Sequence, residues 1–132
     1  MKEVETVTVL DTNFLIDVLR DKGNPEAILD TIEHPKTTTI NVFELYFGAE
    51  RSVKKKESIS NIDSLIKSME ILEFDMPAAV KAANIHAKLK NSGRTLEIED
   101  LFIAGIVLAN NEELLTRDDH FNRIPGLRCR SW

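Results

Sequence analysis

At 132 residues, with 42% hydrophobic and 30% charged residues, the chain suits one globular domain and is too short for two separate cores. It holds no run of about 18 apolar residues, which excludes a membrane-spanning helix, and its N-terminus has no apolar signal core. The net charge of −5 gives no sign of a basic nucleic-acid-binding surface, although carboxylates gathered to hold a metal would give the same balance. The single cysteine, Cys129, has no partner for an internal disulfide, and the cytoplasm is the expected compartment.

Residues 7–13, Val-Thr-Val-Leu-Asp-Thr-Asn, read as a buried strand with Asp11 at its C-terminal tip, followed by a helix from about Asn13 to Arg20. A turn cluster at 21–25 leads to a second helix, with Asn24 as cap, Pro25 at its first position and His34-Pro35 as its end. Lys36 to Ile40 is threonine-rich and reads as a second strand. Asn41 to about Arg51 reads as a helix burying Val42, Leu45, Tyr46 and Ala49. A basic connector, Ser52 to Lys56, precedes a helix at Ser58–Ser68 with Ile59, Ile62, Leu65 and Ile66 at helical spacing.

Met69 to Phe74 is a third strand, and Asp75 caps a long helix with Pro77 in its first turn. Ser92-Gly93 stops that helix after Asn91, and Leu96 to Asp100 is a connector. Glu99 to about Asn110 is an apolar helix, Glu113 to Thr116 a strand and Asp118 to Arg123 a short turn or helix. Pro125-Gly126 turns the chain into a last strand, Leu127 to Ser131. The alternation predicts a single α/β domain over residues 1–132, three-layered, with a mostly parallel sheet of about five strands between helices. Ligands of such sheets sit at the C-terminal strand ends, where Asp11 falls.

Three further acids stand at comparable places. Glu44 is the only charged residue between Val42 and Ala49, in the first turn of its helix. Asp100 precedes Ile103, Ala104, Val107 and Leu108 by three, four, seven and eight residues, so it shares the apolar face of its helix, whereas Glu97 and Glu99 lie off it. A carboxylate there is costly unless paired, protonated or bound to a cation. Asp118 and Asp119 follow the strand Leu114-Leu115-Thr116. Each acid alone also suits a helix-capping role. Four acids in one concavity repel one another, and a hard divalent cation such as Mg²⁺ or Mn²⁺ is the simplest compensation. Such a site supports phosphodiester hydrolysis without a serine or histidine nucleophile.

Four stretches in order resemble the PIN-domain ribonucleases, and among them the toxin subunits of VapBC-type toxin–antitoxin pairs. They are Val-Leu-Asp-Thr-Asn-Phe-Leu-Ile at 9–16, Asn-Val-Phe-Glu-Leu-Tyr-Phe-Gly at 41–48, Gly93 through Ala104, and Leu-Leu-Thr-Arg-Asp-Asp-His-Phe at 114–121. The resemblance implies a metal-dependent endoribonuclease acting on single-stranded or loop RNA. It assigns Asp11, Glu44, Asp100 and Asp118 as the acidic positions, with Asp119 as the other choice for the fourth. Asp11, Asp100 and Asp118 would hold the metal, and Glu44 would position the metal or the attacking water. Thr12, Asn13 and Thr116 would support them through hydrogen bonds, although turn and cap roles account for these residues equally well. A homodimer and an antitoxin partner are also implied, and Phe43, Tyr46 and Phe47 are candidates for such contacts or for the core.

Arg94 and Arg117 flank two acidic stretches and are candidates for RNA phosphates or for pairing with those acids. Arg51 with Lys54-Lys55-Lys56 reads as a solvated connector, and Asp17 as a surface or supporting residue. His34, His86 and His120 lack metal-binding spacing, so no zinc site is expected. Two other readings compete: a catalytically silent PIN-fold module that binds RNA or protein, and a PIN nuclease with an RNA-processing or DNA-directed role. A phosphotransferase with Asp11 as nucleophile ranks low, because no acid follows at the second position after it and no lysine follows the late strand.

Overall fold

The computed structural model describes residues 8–132; Val7 and the N-terminal segment before it lie outside the described residues. Five strands, β1 (Thr8–Leu10), β2 (Lys36–Thr38), β3 (Glu70–Leu72), β4 (Glu113–Leu115) and β5 (Arg128–Arg130), form one sheet in the order β3-β2-β1-β4-β5. Every pairing is parallel, so the sheet is wholly rather than mostly parallel. The helices are α1 (Thr12–Arg20), α2 (Pro25–Leu29), α3 (Thr39–Glu50), α4 (Lys55–Lys67), α5 (Met76–Asn91) and α6 (Ile98–Ala109). A short 3-10 helix spans Asp119–Arg123.

Adjacent strand residues point to opposite faces, and this divides the core in two. Val9 and Leu114 pack with α5 and α6 residues such as Ile85, Leu89, Ile103 and Val107. Leu10 and Leu115 pack on the other face with Phe14 and Leu15 of α1, Leu45 and Ala49 of α3 and Ile62 of α4. The three-layer expectation holds. Between α5 and α6 the backbones approach so closely that a Cβ on Gly105 would lie 2.5 Å from the Ala78 carbonyl oxygen and 2.9 Å from the Ala82 Cβ. At the opposite end of the strands, Lys36 Nζ lies 2.9 Å from Glu112 Oε1 and 3.8 Å from Glu70 Oε1.

Several boundaries differ from the sequence reading. β2 stops at Thr38, and Thr39-Ile40 belong to α3, because the Thr38 hydroxyl caps that helix by accepting from Asn41 N at 3.1 Å. The buried face of α3 is Asn41, Leu45 and Ala49; Val42 and Tyr46 are only partly buried. The helix α2 ends at Leu29, well before His34-Pro35, and Asn24 makes no side-chain cap bond but adopts a left-handed backbone with φ of 55°. The basic connector is shorter than expected, since α4 starts at Lys55. The expected long helix is α5, with the Asp75 side chain accepting from Ala78 N at 3.1 Å.

The chain lays β1, β2 and β3 outward in one direction and β4 and β5 in the other. The reversal falls between β1 and β4, and the loops leaving their C-terminal ends diverge there to leave a crevice. Asp11 and Thr116 stand at the two lips of that crevice.

Candidate active site

Asp11 is the hub of the site. It ends β1, caps α1 and is 6% exposed. Its Oδ1 accepts from Thr12 N at 2.9 Å and from Asn41 Nδ2 at 3.0 Å. Its Oδ2 accepts from the Thr116 hydroxyl at 2.6 Å. The same Thr116 hydroxyl accepts from Asp118 N at 3.0 Å, so one side chain fixes both the first acid and the turn that carries the fourth.

The Thr12 hydroxyl donates to Glu44 Oε1 at 2.6 Å and accepts from Asn41 Nδ2 at 2.9 Å. Asn41 Oδ1 accepts in turn from the Thr38 hydroxyl at 2.7 Å. This network joins β1, α1, β2, α3 and the end of β4. Asn41 was missed by the site reading of the sequence. The available signal was its polarity at a position four residues before Leu45 and eight before Ala49, on the face that packs inward.

Asp100 enters from the first turn of α6, partly buried as its place on the apolar stripe requires. Ligand atoms of Asp100, Asp118 and His120 lie within 4.8 Å of one another. Asp118 Oδ1 accepts from His120 N at 2.9 Å and lies 3.1 Å from His120 Nδ1. The capping role foreseen for Asp118 is therefore present alongside its place in the cluster. His120, set aside at first, joins the group.

The electrostatics connect all four acids. Burial raises the Asp11 carboxyl above its ordinary value, against hydrogen bonds from Thr116, Thr12 and Asn41, and the Asp118 charge adds to the rise. Glu44 is raised by burial and by Asp11 and Glu99, against the Thr12 bond. Asp100 is pushed up to about 6 by burial and by the charges of Asp118, Asp11 and Glu44; among the groups acting on it, only His120 opposes. Glu99, read as solvated, is partly buried and contributes to this field.

The remaining candidates divide. Asn13 is exposed and takes no part in the network. Asp119 is exposed at the start of the 3-10 helix. Arg94 is exposed between α5 and α6. Arg117 is exposed but held: its guanidinium lies 4.4 Å from the centre of the Trp132 ring, and its Nε donates to the Trp132 carbonyl at 2.8 Å. The Trp132 indole N–H donates to Asp17 Oδ2 at 3.0 Å. Phe43 and Phe47 are exposed and stacked 6.1 Å apart, while Tyr46 is partly buried and hydrogen-bonds Asp63.

The family model of the PIN domain matches residues 8–127, a span that contains all four of these carboxylates. This chain belongs to the PIN-domain family.

Within that PIN family, the chain is 30% identical over 129 residues to the tRNA(fMet)-specific endonuclease VapC of Salmonella typhimurium, covering 94% of this chain and 96% of the relative. It is 31% identical over 134 residues to ribonuclease VapC2 of Haemophilus influenzae, with the same coverage of both chains. A solved structure of DNA-bound VapBC from Salmonella typhimurium matches with a TM-score of 0.89 at 27% identity, over 97% of this chain and 99% of the other. VapBC2 from Rickettsia felis, bound to a promoter DNA fragment, gives a TM-score of 0.90 at 24% identity over 96% and 98%, a likeness of fold. No helix among the described residues is long and apolar enough to cross a membrane.

Proposed function

We propose that this PIN domain is a divalent-metal-dependent endoribonuclease, the toxin of a type II toxin–antitoxin pair, with Asp11, Asp100 and Asp118 as metal ligands. The observation that carries the reading is the convergence of four carboxylates, three of which, Asp11, Glu44 and Asp100, have proton affinities raised by burial and by acidic neighbours. No lysine or arginine side chain is hydrogen-bonded to or ion-paired with any of them among the described residues. An oxygen-rich donor set suits Mg²⁺ or Mn²⁺, and the imidazole of His120 beside it favours Mn²⁺ of the two. A bound cation of this kind supplies Lewis-acid stabilisation of the charge that builds on the phosphate in the transition state.

The protein's own residues prepare that chemistry. Asn41, Thr12 and Thr116 fix both oxygens of Asp11, so the carboxylate does not rotate away from the crevice. Thr12 donates to Glu44 Oε1, because an ionised carboxylate only accepts, and Glu44 Oε2 can then accept a proton from water. The raised proton affinity of Glu44 strengthens it as a base. Asp118, held by Thr116 and ordered at the start of the 3-10 helix, fits the fourth acidic position better than the exposed Asp119. Arg117, stacked on Trp132 beside Asp118, offers a fixed cation for an RNA phosphate.

The partner has a suitable place. A groove of about 430 Å³ runs between α1, α3 and α4, with Ile16, Leu19, Leu45 and Ile62 in its walls and Glu44 at its margin. An apolar antitoxin segment seated there can bring a basic side chain to Glu44 and the crevice. Exposed Phe43 and Phe47 supply apolar surface for self-association into a homodimer.

The deciding experiment is cleavage of single-stranded and hairpin RNAs by wild type and Asp11→Asn, in Mg²⁺, in Mn²⁺ and with a chelator. Cutting that needs both the metal and Asp11 is expected, with a loss of orders of magnitude in the variant. Metal binding by a folded protein that leaves every RNA intact would instead support a silent binding module.

A further inference from the structure

The acids of the crevice differ in how much of their oxygen is already used. A carboxylate has about four lone-pair sites, and on Asp11 Thr12 N, Asn41 Nδ2 and the Thr116 hydroxyl take three of them. Asp11 can therefore give a cation no more than one bond. Asp100 is the opposite case. Its carboxylate is partly buried in the first turn of α6, yet among the described residues it accepts no hydrogen bond and forms no ion pair. Asp118 spends Oδ1 on His120 N at 2.9 Å, and nothing among the described residues bonds to its Oδ2.

The two acids with unused oxygens are the ones that a nitrogen joins. One ligand atom each of Asp100, Asp118 and His120 lies within 4.8 Å of the others, the only such group among the described residues. His120 Nδ1 is the ring nitrogen that faces Asp118, 3.1 Å from its Oδ1. Neighbouring ligands of an octahedral ion with bonds of about 2.1 Å stand about 3.0 Å apart, so this spacing fits two adjacent ligands of one cation. The placement is set locally. Asp118 caps the 3-10 helix that carries His120, and the Thr116 hydroxyl holds Asp118 N at 3.0 Å.

We propose that His120 is a direct ligand of the metal, together with Asp100 and Asp118, and that its nitrogen sets the choice of ion. The inference rests on the metal-dependent reading above and adds to its acidic set one ligand of a different kind. Mg²⁺ takes oxygen ligands and gains little from an imidazole, whereas Mn²⁺ accepts nitrogen beside oxygen. The ring therefore biases the site towards Mn²⁺. The competing account is an ion pair in which a charged His120 only neutralises Asp118, and such a pair does not tell one divalent cation from another.

The test uses the full chain without RNA. Pulsed EPR of the Mn²⁺-loaded protein is expected to show the nitrogen hyperfine coupling of one bound imidazole, and His120→Ala should lose it. Calorimetric titration should find Mn²⁺ affinity lower by roughly tenfold or more in His120→Ala, and Mg²⁺ affinity lower by less than about threefold. His120→Asp restores an oxygen ligand, so it should bind Mg²⁺ at least as tightly as wild type and lose the preference for Mn²⁺. Thermal melting verifies that each variant is folded, as expected for an exposed side chain. Mn²⁺ bound without nitrogen coupling, or equal changes for both ions in His120→Ala, overturns the inference and leaves the ribonuclease reading intact. A wild type that binds neither ion overturns the metal-dependent reading and this inference with it.

Discussion

Asn41 Nδ2 donates to Asp11 Oδ1 at 3.0 Å, and through this bond the first turn of α3 holds the end of β1. Asn41 is fully buried and also bridges Thr12 and Thr38, so every polar atom of its side chain is engaged. Replacing it by alanine should leave the Asp11 carboxylate and two hydroxyls short of partners. We expect RNA cleavage to fall about 10- to 100-fold and stability to drop by about 1–3 kcal/mol. Steady-state cleavage and urea denaturation of Asn41→Ala measure the two effects. Cleavage equal to wild type would show that Asp11 needs no such support.

Asp100 gives the site a defined pH response. Its proton is held up to about pH 6 in the folded protein, against 3.8 in the unfolded chain. Between those values the folded state binds more protons, so stability without metal falls as pH rises from about 4 to about 6. Asp100→Asn should lose that slope and be more stable than wild type above pH 6 when no metal is present. Because metal binding needs the deprotonated acid, the rise in Tm on adding Mn²⁺ should be larger at pH 7.5 than at pH 5. Melting curves across pH, with and without metal, check both. A Tm that climbs with pH in the metal-free protein as steeply for wild type as for Asp100→Asn would contradict the assignment.

Gly105 sets the distance between α5 and α6. With the Ala78 carbonyl oxygen 2.5 Å from where a Cβ would stand, the backbone has to move to admit even one methyl group. Gly105→Ala ought to be destabilising by about 1–3 kcal/mol, despite the better helix propensity of alanine. The midpoint of urea unfolding reports it. A stabilised variant would mean that the helices separate freely. Asp100 starts the same helix, so a weakened response to Mn²⁺ should accompany the loss.

Lys36 and Glu112 form an ion pair largely withdrawn from water, with side chains 16% and 7% exposed. Removing Glu112 leaves Lys36 only the exposed Glu70 at 3.8 Å, and Glu112→Leu should cost about 3 kcal/mol. The double variant Lys36→Met with Glu112→Leu should recover most of that stability, since apolar residues then replace both charges. A double variant as unstable as the single one would assign the cost to lost shape rather than to a stranded charge. The pair sits at the end of the strands away from the acids, so RNA cleavage by the folded double variant should stay near wild type.

The periodicity of apolar residues was enough to find the alternating elements and hence the three layers, because β-branched runs and helical stripes obey different spacings. Boundaries were harder where one residue serves two elements. Thr38 ends β2 and caps α3 at once, and a threonine-rich run through Ile40 carries no local mark of that change. Among the candidate site residues, Asp100 stood out because a carboxylate on an apolar stripe is costly unless it caps the helix, is paired or holds a cation. Asp11, Glu44 and Asp118 needed the topology as well as the sequence, since nothing local says that four loops converge. Asn41 stayed hidden because its partners lie on other elements, and an asparagine before a hydrophobic helix looks like a cap.

The hydrogen bond between Asp11 and Thr116 spans 105 residues of sequence. β4 pairs directly with β1, so the second oxygen of Asp11 gains its partner only when that late strand docks against it. During synthesis the proposed site is therefore incomplete until residues 113–116 have left the ribosome and β4 has entered the sheet. A truncated or half-folded product carries Asp11 and Glu44 but not the partner that completes them. On the proposed assignment, nuclease activity therefore arrives only with the docking of β4, and an incomplete chain carries the acids without the geometry.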